Sequence, residues 1–190
     1  MKLPTWKELK LNIKAALVKL KPTTFQTWKE HCQTQFLKKL KVWMSKNEID
    51  FKLIAKYYEI LFYWSFINFR REEELIKTLT TNGYEVKRSN IKQDGIFKID
   101  LIVFNNSNKY HVQIKNQISN LKTEEELKFK SFSNKINFIP LLAFKNKNQW
   151  KFISLISQEE IKLFSVLFFI KSKEILLFLN ANLLLAKQKL

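Results

Sequence analysis

The sequence contains only one cysteine, two glycines and three prolines among its 190 residues. Because the lone Cys32 has no partner for an intramolecular disulfide, the chain has neither a disulfide framework nor a cysteine-rich zinc site. This favours an intracellular protein. Arginine is scarce as well, since 31 of the 34 basic residues are lysine. Such a composition, rich also in Asn, Ile and Phe, is typical of an AT-rich genome, so we expect an organelle (plastid or mitochondrion) or the bacterial cytoplasm as its location.

A long apolar run is also missing. The most apolar tract, residues 163–185, is interrupted by Lys171, Lys173 and Glu174, whereas a transmembrane helix needs about 20 apolar residues in a row. Residues 1–14 lack the apolar stretch of a secretion signal. We therefore predict no stable membrane insertion. A lysine-rich helical protein lying on a membrane surface is an alternative, but it leaves the hairpin described below unexplained.

Acidic residues are outnumbered two to one. The chain has 34 Lys and Arg against 17 Asp and Glu, which leaves a net charge of +17. Polyanions are the natural partners of such a surface, and nucleic acid comes first among them. The length is sufficient for one good core with a small appended module.

Residues 1–46 are predicted to form basic helices. Apolar residues recur at helical spacing from residue 9 to residue 20, Pro22 ends that pattern, and Thr23 with Gln26 resembles a capping box. A second apolar stripe follows, consisting of Phe25, Trp28, Cys32, Phe36, Leu40 and Trp43. Because such stripes are mostly core, we expect these side chains to be buried. The lysines of this segment could either contact phosphates or simply solvate the surface.

Two further helical patterns follow. Residues 48–69 are apolar and aromatic on most faces, which predicts a buried helix from about Asp50. Residues 70–81 are amphipathic, and Asn82 with Gly83 supplies a helix stop. The apolar face of this second helix consists of Leu75, Ile76 and Leu79. Of the three adjacent acids Glu72, Glu73 and Glu74, helical phase favours Glu72 for a place on the same face.

The most informative stretch is residues 96–117. Two alternating segments, IFKIDLIV and KYHVQIKNQ, flank the polar loop NNSN, which predicts an antiparallel hairpin. If this loop pairs Phe104 with Lys109, Asp100 lies directly opposite Gln113 on one face of the sheet. Lys115 shares that face, since side chains alternate along a strand. The pattern predicts a carboxylate, an amide and an ammonium on one surface; the alternative is a solvated face on which Asp100 merely pairs with a lysine.

The remaining elements complete an α/β pattern. A strand over residues 84–89 and a loop containing Asp94 and Gly95 precede the hairpin. After it we predict a helix from Thr123 to about residue 133, a strand over residues 136–144 and another over residues 150–156. Pro140 within the first of these strands suggests an edge or a bulge. One or two helices are predicted over residues 158–190.

With an acidic residue on the first helix, Asp100 in the second strand and Gln113-Ile114-Lys115 in the third, the chain resembles the PD-(D/E)XK nuclease superfamily. The likeness extends from about Glu72 to Phe144 and rests on the phrases GYEV, IDLIV and YHVQIKNQ. Its QxK form is similar to that of Mrr-like nucleases and intron-encoded homing endonucleases. The resemblance implies an α/β (α+β) restriction-endonuclease-like core of helix, three-stranded meander, helix and strand.

The resemblance further implies a DNA endonuclease that uses Mg²⁺ or Mn²⁺. Asp100 would anchor the ion, Gln113 and the Ile114 carbonyl would add neutral oxygens, and Glu72 would complete the shell directly or through water. Lys115 would orient the attacking water or stabilise the pentavalent phosphate. Double-stranded DNA is the favoured substrate, and a homo-oligomer is expected by analogy. We predict nucleic-acid contacts at Lys38, Lys39, Lys41, Arg70, Arg71 and Lys98.

Three segments are expected: a basic, aromatic-rich helical extension (1–68), the nuclease-like core (69–157) and a C-terminal helical segment (158–190). Because Gln113 replaces the second acid of the family, the ligand set carries less negative charge. The alternative function is therefore a non-catalytic, nuclease-derived nucleic-acid-binding protein or organelle ribonucleoprotein component. His111 shares the face of Gln113, and a lone histidine is more often structural than catalytic.

Overall fold

The computed structural model describes residues 1–116 and 123–164. The chain divides into two compact units, Met1–Leu75 and Ile76–Leu190.

The first unit begins with three helices, α1 (Trp6–Leu9), α2 (Ile13–Leu20) and α3 (Phe25–Lys46). Each starts where a short polar side chain accepts a backbone N–H of the first turn, and these capping residues are Thr5, Asn12 and Thr24. The predicted cap at Thr23 is therefore wrong by one residue, because the Thr24 hydroxyl oxygen accepts the Thr27 N–H at 3.1 Å.

Residues 51–81 form one uninterrupted helical run of changing pitch. A 3₁₀ turn (Phe51–Leu53) leads into α4 (Ile54–Tyr58), a π-helical turn (Glu59–Tyr63) and α5 (Trp64–Thr81). The predicted helix from about Asp50 is confirmed, and it continues into the helix predicted over residues 70–81. The predicted segment boundary after residue 68 falls inside α5.

The core of the first unit is aromatic. Trp28 stacks on Phe62 with ring centroids 4.9 Å apart, and Phe36 lies 4.9 Å from the same ring. Five predicted stripe residues are buried, namely Trp28, Cys32, Phe36, Leu40 and Trp43. The sixth, Phe25, is partly buried and packs against them. The expectation that these aromatics are core is confirmed, which leaves the lysines between them on the outside.

The second unit is a five-stranded sheet with helices. Its elements are β1 (Glu85–Arg88), α6 (Ile91–Phe97), β2 (Leu101–Phe104), β3 (Lys109–Ile114), α7 (Thr123–Lys135), β4 (Ile139–Asn146) and β5 (Gln149–Ser154). The strands lie in chain order, and all neighbours are antiparallel except β3 and β4. The parallel pair is joined through α7, as a crossover requires. The predicted α/β class and its order of helix, three-stranded meander, helix and strand are confirmed.

Helix α6 replaces the loop predicted around Asp94 and Gly95. The Asn90 side chain accepts the Gln93 N–H at 2.9 Å, and the Gln93 side chain accepts the Asn90 N–H at 3.0 Å. This reciprocal capping box starts a helix that ends at Lys98, whose φ of 59° is left-handed. Residues 96–98 are therefore not the beginning of a strand, and the hairpin's first strand starts at Leu101.

Pro140 does not mark an edge strand, because β4 lies between β3 and β5. It is the second residue of β4, before the ladder to β5 begins at Leu141, where the missing N–H disrupts little. The tight turn after β4 has positive φ at Lys147 and Asn148 (45° and 65°), as two-residue hairpin turns require.

The described part of the predicted C-terminal helical segment is not helical. Residues 158–164 form irregular structure with one isolated bridge between Ile153 and Glu160. Residues 165–190, where most of that prediction falls, lie outside the described residues. Among the described helices, none is long and apolar enough to cross a membrane.

His111 is fully buried on the face of the sheet that α7 covers. Its ring stacks on Phe138 at 4.1 Å and on Phe132 at 5.8 Å, and its Nδ1 lies 3.0 Å from the Ser133 hydroxyl. Burial lowers the pKa of His111 from 6.5 to about 4, because the charged imidazolium cannot be hydrated there. His111 is thus neutral near pH 7.

This burial predicts an acid-sensitive fold. Between pH 6.5 and 4 the unfolded chain binds a proton at this histidine that the folded chain does not, so stability falls as the pH drops through that window. Below pH 4 the unfolding free energy lost through His111 levels off at about 3 kcal/mol. Urea unfolding at a series of pH values should show it, and the double variant His111→Phe/Ser133→Ala should flatten the curve over this window. An unchanged slope in the double variant would contradict the assignment.

Candidate functional site

The hairpin forms in the predicted register. Phe104 pairs with Lys109, and the ladder continues through Val103–Tyr110 to Leu101–Val112. In the loop, the Asn105 side-chain oxygen accepts the N–H groups of Ser107 (3.0 Å) and Asn108 (2.7 Å). This local capping by Asn closes the turn and fixes which residues of the two strands face each other.

Asp100 departs from the regular ladder immediately before β2 begins. Its N–H donates to the Val112 carbonyl at 2.9 Å, although Val112 is the register partner of Leu101. Two residues of one strand thus face one residue of the other, as in a β-bulge. Asp100 is therefore not simply opposite Gln113 as predicted. Only Ile99 and Asp100 separate β2 from Lys98, the left-handed residue that ends α6.

The bulge places the Asp100 carboxylate against the backbone of β3. Its Oδ2 accepts the Ile114 N–H at 2.7 Å, which is a short, charge-assisted bond. The carboxylate is partly buried. Asp100 is thus held at the residue between Gln113 and Lys115, so the structure brings the predicted hairpin residues together at one end of β3.

Gln113 is buried, with 3% of its surface exposed. It faces α7 together with His111, and its register partner on β4 is the buried Leu142. Its Oε1 is buried and accepts no hydrogen bond from the described residues. An unpaired buried oxygen costs roughly 1–3 kcal/mol, and a cation or water bound to this atom would offset that cost.

Lys115 follows directly after β3, where its N–H donates to the Ala143 carbonyl at 2.9 Å. Its ammonium lies 3.3 Å from the Glu125 carboxylate, and both side chains are largely covered (19% and 28% exposed). Glu125 belongs to the first turn of α7. Glu125 was not among the predicted site residues, and its contact with Lys115 adds it to the candidate site.

Glu72 belongs to the other compact unit. It is buried, as its place on the apolar face of the helix predicts, and its Oε1 lies 3.5 Å from the ammonium of Lys14 on α2. Its role as the acid of the metal site stays a prediction.

The donor types present suit a hard divalent cation. Asp100 offers a carboxylate, Gln113 an amide oxygen, and Ile114 a backbone carbonyl, and Mg²⁺ or Mn²⁺ takes such oxygen ligands while keeping several waters. The unsatisfied Gln113 oxygen is the observation that fits such an ion best. Within residues 1–116 and 123–164, no three His, Cys, Asp or Glu side chains cluster as a metal site, so an ion at Asp100 would also need neutral oxygens or water as ligands.

The side chains predicted to contact nucleic acid differ in exposure. Lys38, Lys41 and Arg70 are exposed, while Lys39, Arg71 and Lys98 are partly buried. Lys98 ends α6 rather than lying on a strand. These contacts stay predictions.

No protein-family model matches the chain, and no curated protein sequence matches it. Among solved structures it is similar to a Holliday junction resolvase from the archaeal hyperthermophile Archaeoglobus fulgidus, with 17% sequence identity and a TM-score of 0.41. The match covers 50% of this chain and 85% of the resolvase. A likeness this low in identity and score establishes neither a common fold nor a common activity.

Proposed function

We propose that the protein is a metal-dependent DNA endonuclease whose site lies where β2 begins and β3 ends. The supporting observation is that Asp100 Oδ2 accepts the Ile114 N–H at 2.7 Å. Ile114 lies in sequence between Lys115 and Gln113, whose buried side-chain oxygen accepts no hydrogen bond from the described residues. A carboxylate and a neutral oxygen can hold a divalent ion, and an ammonium can face the phosphate charge, so these groups suit phosphodiester hydrolysis.

Each of these groups has a definite task in the proposed reaction. Asp100, Gln113 and the Ile114 carbonyl would hold a Mg²⁺ or Mn²⁺ ion, which lowers the pKa of a bound water and neutralises charge on the phosphate. The Lys115 ammonium would face the charge that develops on the phosphate oxygens. Glu125, 3.3 Å from that ammonium, would keep the long lysine side chain in one orientation and thereby act as a positioning residue.

Cleavage of supercoiled plasmid tests this proposal directly. The full-length protein should nick or linearise the plasmid in Mg²⁺ or Mn²⁺, and excess EDTA should abolish the reaction. Cleavage that persists in EDTA, or that survives loss of the Asp100 charge, would contradict it.

Gln113→Met is predicted to change stability and activity in opposite directions. Because the methionine has a similar shape and no oxygen to leave unpaired, the metal-free protein should gain about 1–2 kcal/mol in unfolding free energy. The same change removes a proposed ligand, so cleavage should fall and added Mg²⁺ should no longer raise the melting temperature by mass action.

Urea unfolding in EDTA and in Mg²⁺ measures the stability of both proteins, and the plasmid assay measures their activity. A metal-free variant less stable than the wild type would mean that the Gln113 oxygen is already satisfied within the fold.

A non-catalytic nucleic-acid-binding protein is the second candidate. It is favoured by the lack, among the described residues, of a cluster of three acidic or other metal-ligating side chains, together with the net charge of +17. Such a protein would bind DNA with a steep dependence on salt and would not cut it in either metal. Tight binding without cleavage would select this function over the first.

A further inference from the structure

A basic groove runs along the first unit between the end of α1 and one face of α3. Its volume is about 390 Å³. It is lined by Glu8, Leu9, Lys10, Gln35, Lys38, Lys39, Val42, Trp43 and Lys46. Four lysines thus surround an apolar floor, and one acid is present.

The described residues do not neutralise the positive charge of this groove. None of the groove lysines Lys10, Lys38, Lys39 and Lys46 forms an ion pair or a side-chain hydrogen bond with any described residue. Glu8, the only acid of the lining, is hydrogen-bonded to Thr5 instead: its Oε2 accepts both the N–H and the hydroxyl of Thr5 at 2.8 Å. Those two bonds also lower the pKa of Glu8.

The floor of the groove is apolar and accessible. Val42, in the middle of the lining, is 52% exposed, although it lies on a helix whose other apolar residues are mostly buried. The aliphatic stems of the neighbouring lysines extend this apolar surface. A groove with cations at its rim and hydrocarbon at its floor is complementary to a chain that alternates phosphates with flat apolar groups.

We propose that this groove binds a single strand of nucleic acid, with phosphates at Lys38, Lys39 and Lys46 and a sugar or unpaired base against Val42. A duplex offers its phosphates but keeps its base faces stacked inside, so it would leave the apolar floor uncovered. This surface goes beyond the proposed cleavage site, because it lies in the first unit and requires no divalent ion.

Two triple variants with equal charge test the groove. The first carries Lys38→Gln, Lys39→Gln and Lys46→Gln. The control carries Lys19→Gln, Lys29→Gln and Lys52→Gln. These lysines lie in the same unit outside the groove, have matching exposure, and their ammonium groups likewise have no described partner. Binding of labelled oligothymidylate is measured by fluorescence anisotropy in EDTA over a range of salt concentrations, with the full chain and unchanged circular dichroism as a check of folding.

The groove variant is expected to bind oligothymidylate about tenfold or more weakly, and the slope of log K against log salt should fall by about 2, since each phosphate contact on a single strand contributes about 0.7. The control should change neither quantity by as much. Equal losses in the two variants would overturn the proposal. The proposal would also be overturned if the groove variant bound oligothymidylate normally and lost only its binding to duplex DNA, or only its binding to phosphatidylserine vesicles. Because the assay excludes metal, its result stands whether or not the protein cleaves DNA.

Discussion

Asp100→Asn is expected to lower the rate of plasmid cleavage by about 10²–10⁴-fold while leaving the fold intact. The asparagine side chain keeps a carbonyl oxygen that can accept the Ile114 N–H, now 2.7 Å from Asp100 Oδ2, so the end of the hairpin should stay closed. What is lost is the negative charge that anchors the divalent ion. Cleavage rates in Mg²⁺ and thermal unfolding, measured on the same preparations, separate these two effects.

The comparison variant for this experiment is Asp94→Asn. Asp94 lies in α6 of the same unit, and its replacement removes one negative charge outside the proposed site. It should cleave at the wild-type rate. If Asp94→Asn and Asp100→Asn lose activity equally, or if neither does, Asp100 does not hold the catalytic ion.

Lys115→Gln is expected to reduce cleavage by about 10²–10³-fold, because the ammonium is the cation proposed to face the developing phosphate charge. It should also lower the unfolding free energy by roughly 1–3 kcal/mol, because the largely covered Glu125 carboxylate loses its cation. Rates measured at saturating DNA distinguish a loss of chemistry from a loss of binding.

Glu125→Gln provides the matched comparison for Lys115. It leaves the ammonium in place but removes the carboxylate 3.3 Å away, so the lysine is less well oriented and cleavage should fall by about 10–100-fold. Glu125→Asp should recover part of the lost rate. A Lys115→Gln variant that cleaves as fast as the wild type would remove this residue from the mechanism.

The hairpin was predictable because its signals are local. Alternation with a period of two identifies the strands, and the Asn-rich loop fixes the register that pairs Phe104 with Lys109. The burial of Glu72 was likewise predictable from helical phase, since its face of α5 also carries Leu75 and Leu79. Both features depend only on the spacing of residues along the chain, which can be read from the sequence.

Helix α6 was missed because two local patterns compete over the same residues. The alternation in IFKIDLIV indicates a strand from residue 96, whereas the capping box between Asn90 and Gln93 starts a helix that runs to Phe97. The structure follows the capping box, and this signal in the sequence could have corrected the predicted strand at residues 96–98. The resulting bulge at Asp100 could not be predicted, because it depends on where that helix ends.

The contact between Lys115 and Glu125 lies beyond sequence reasoning for a different reason. Three consecutive acids begin α7, and each is equally suited to a helix N-terminus. Only the tertiary placement of α7 against β3 selects Glu125 as the partner of Lys115. The pairing of Glu72 with Lys14 likewise depends on how α2 packs against α5.

Crystals grown with Mn²⁺ provide the most direct test of the proposed metal site, through the position of the anomalous scattering peak. We predict a peak about 2.0–2.2 Å from both a carboxylate oxygen of Asp100 and Oε1 of Gln113, as oxygen ligands of such an ion require. No peak at the end of β3, or a Gln113 oxygen that contacts only protein atoms in the metal-soaked crystal, would contradict the proposal that these residues hold a catalytic ion.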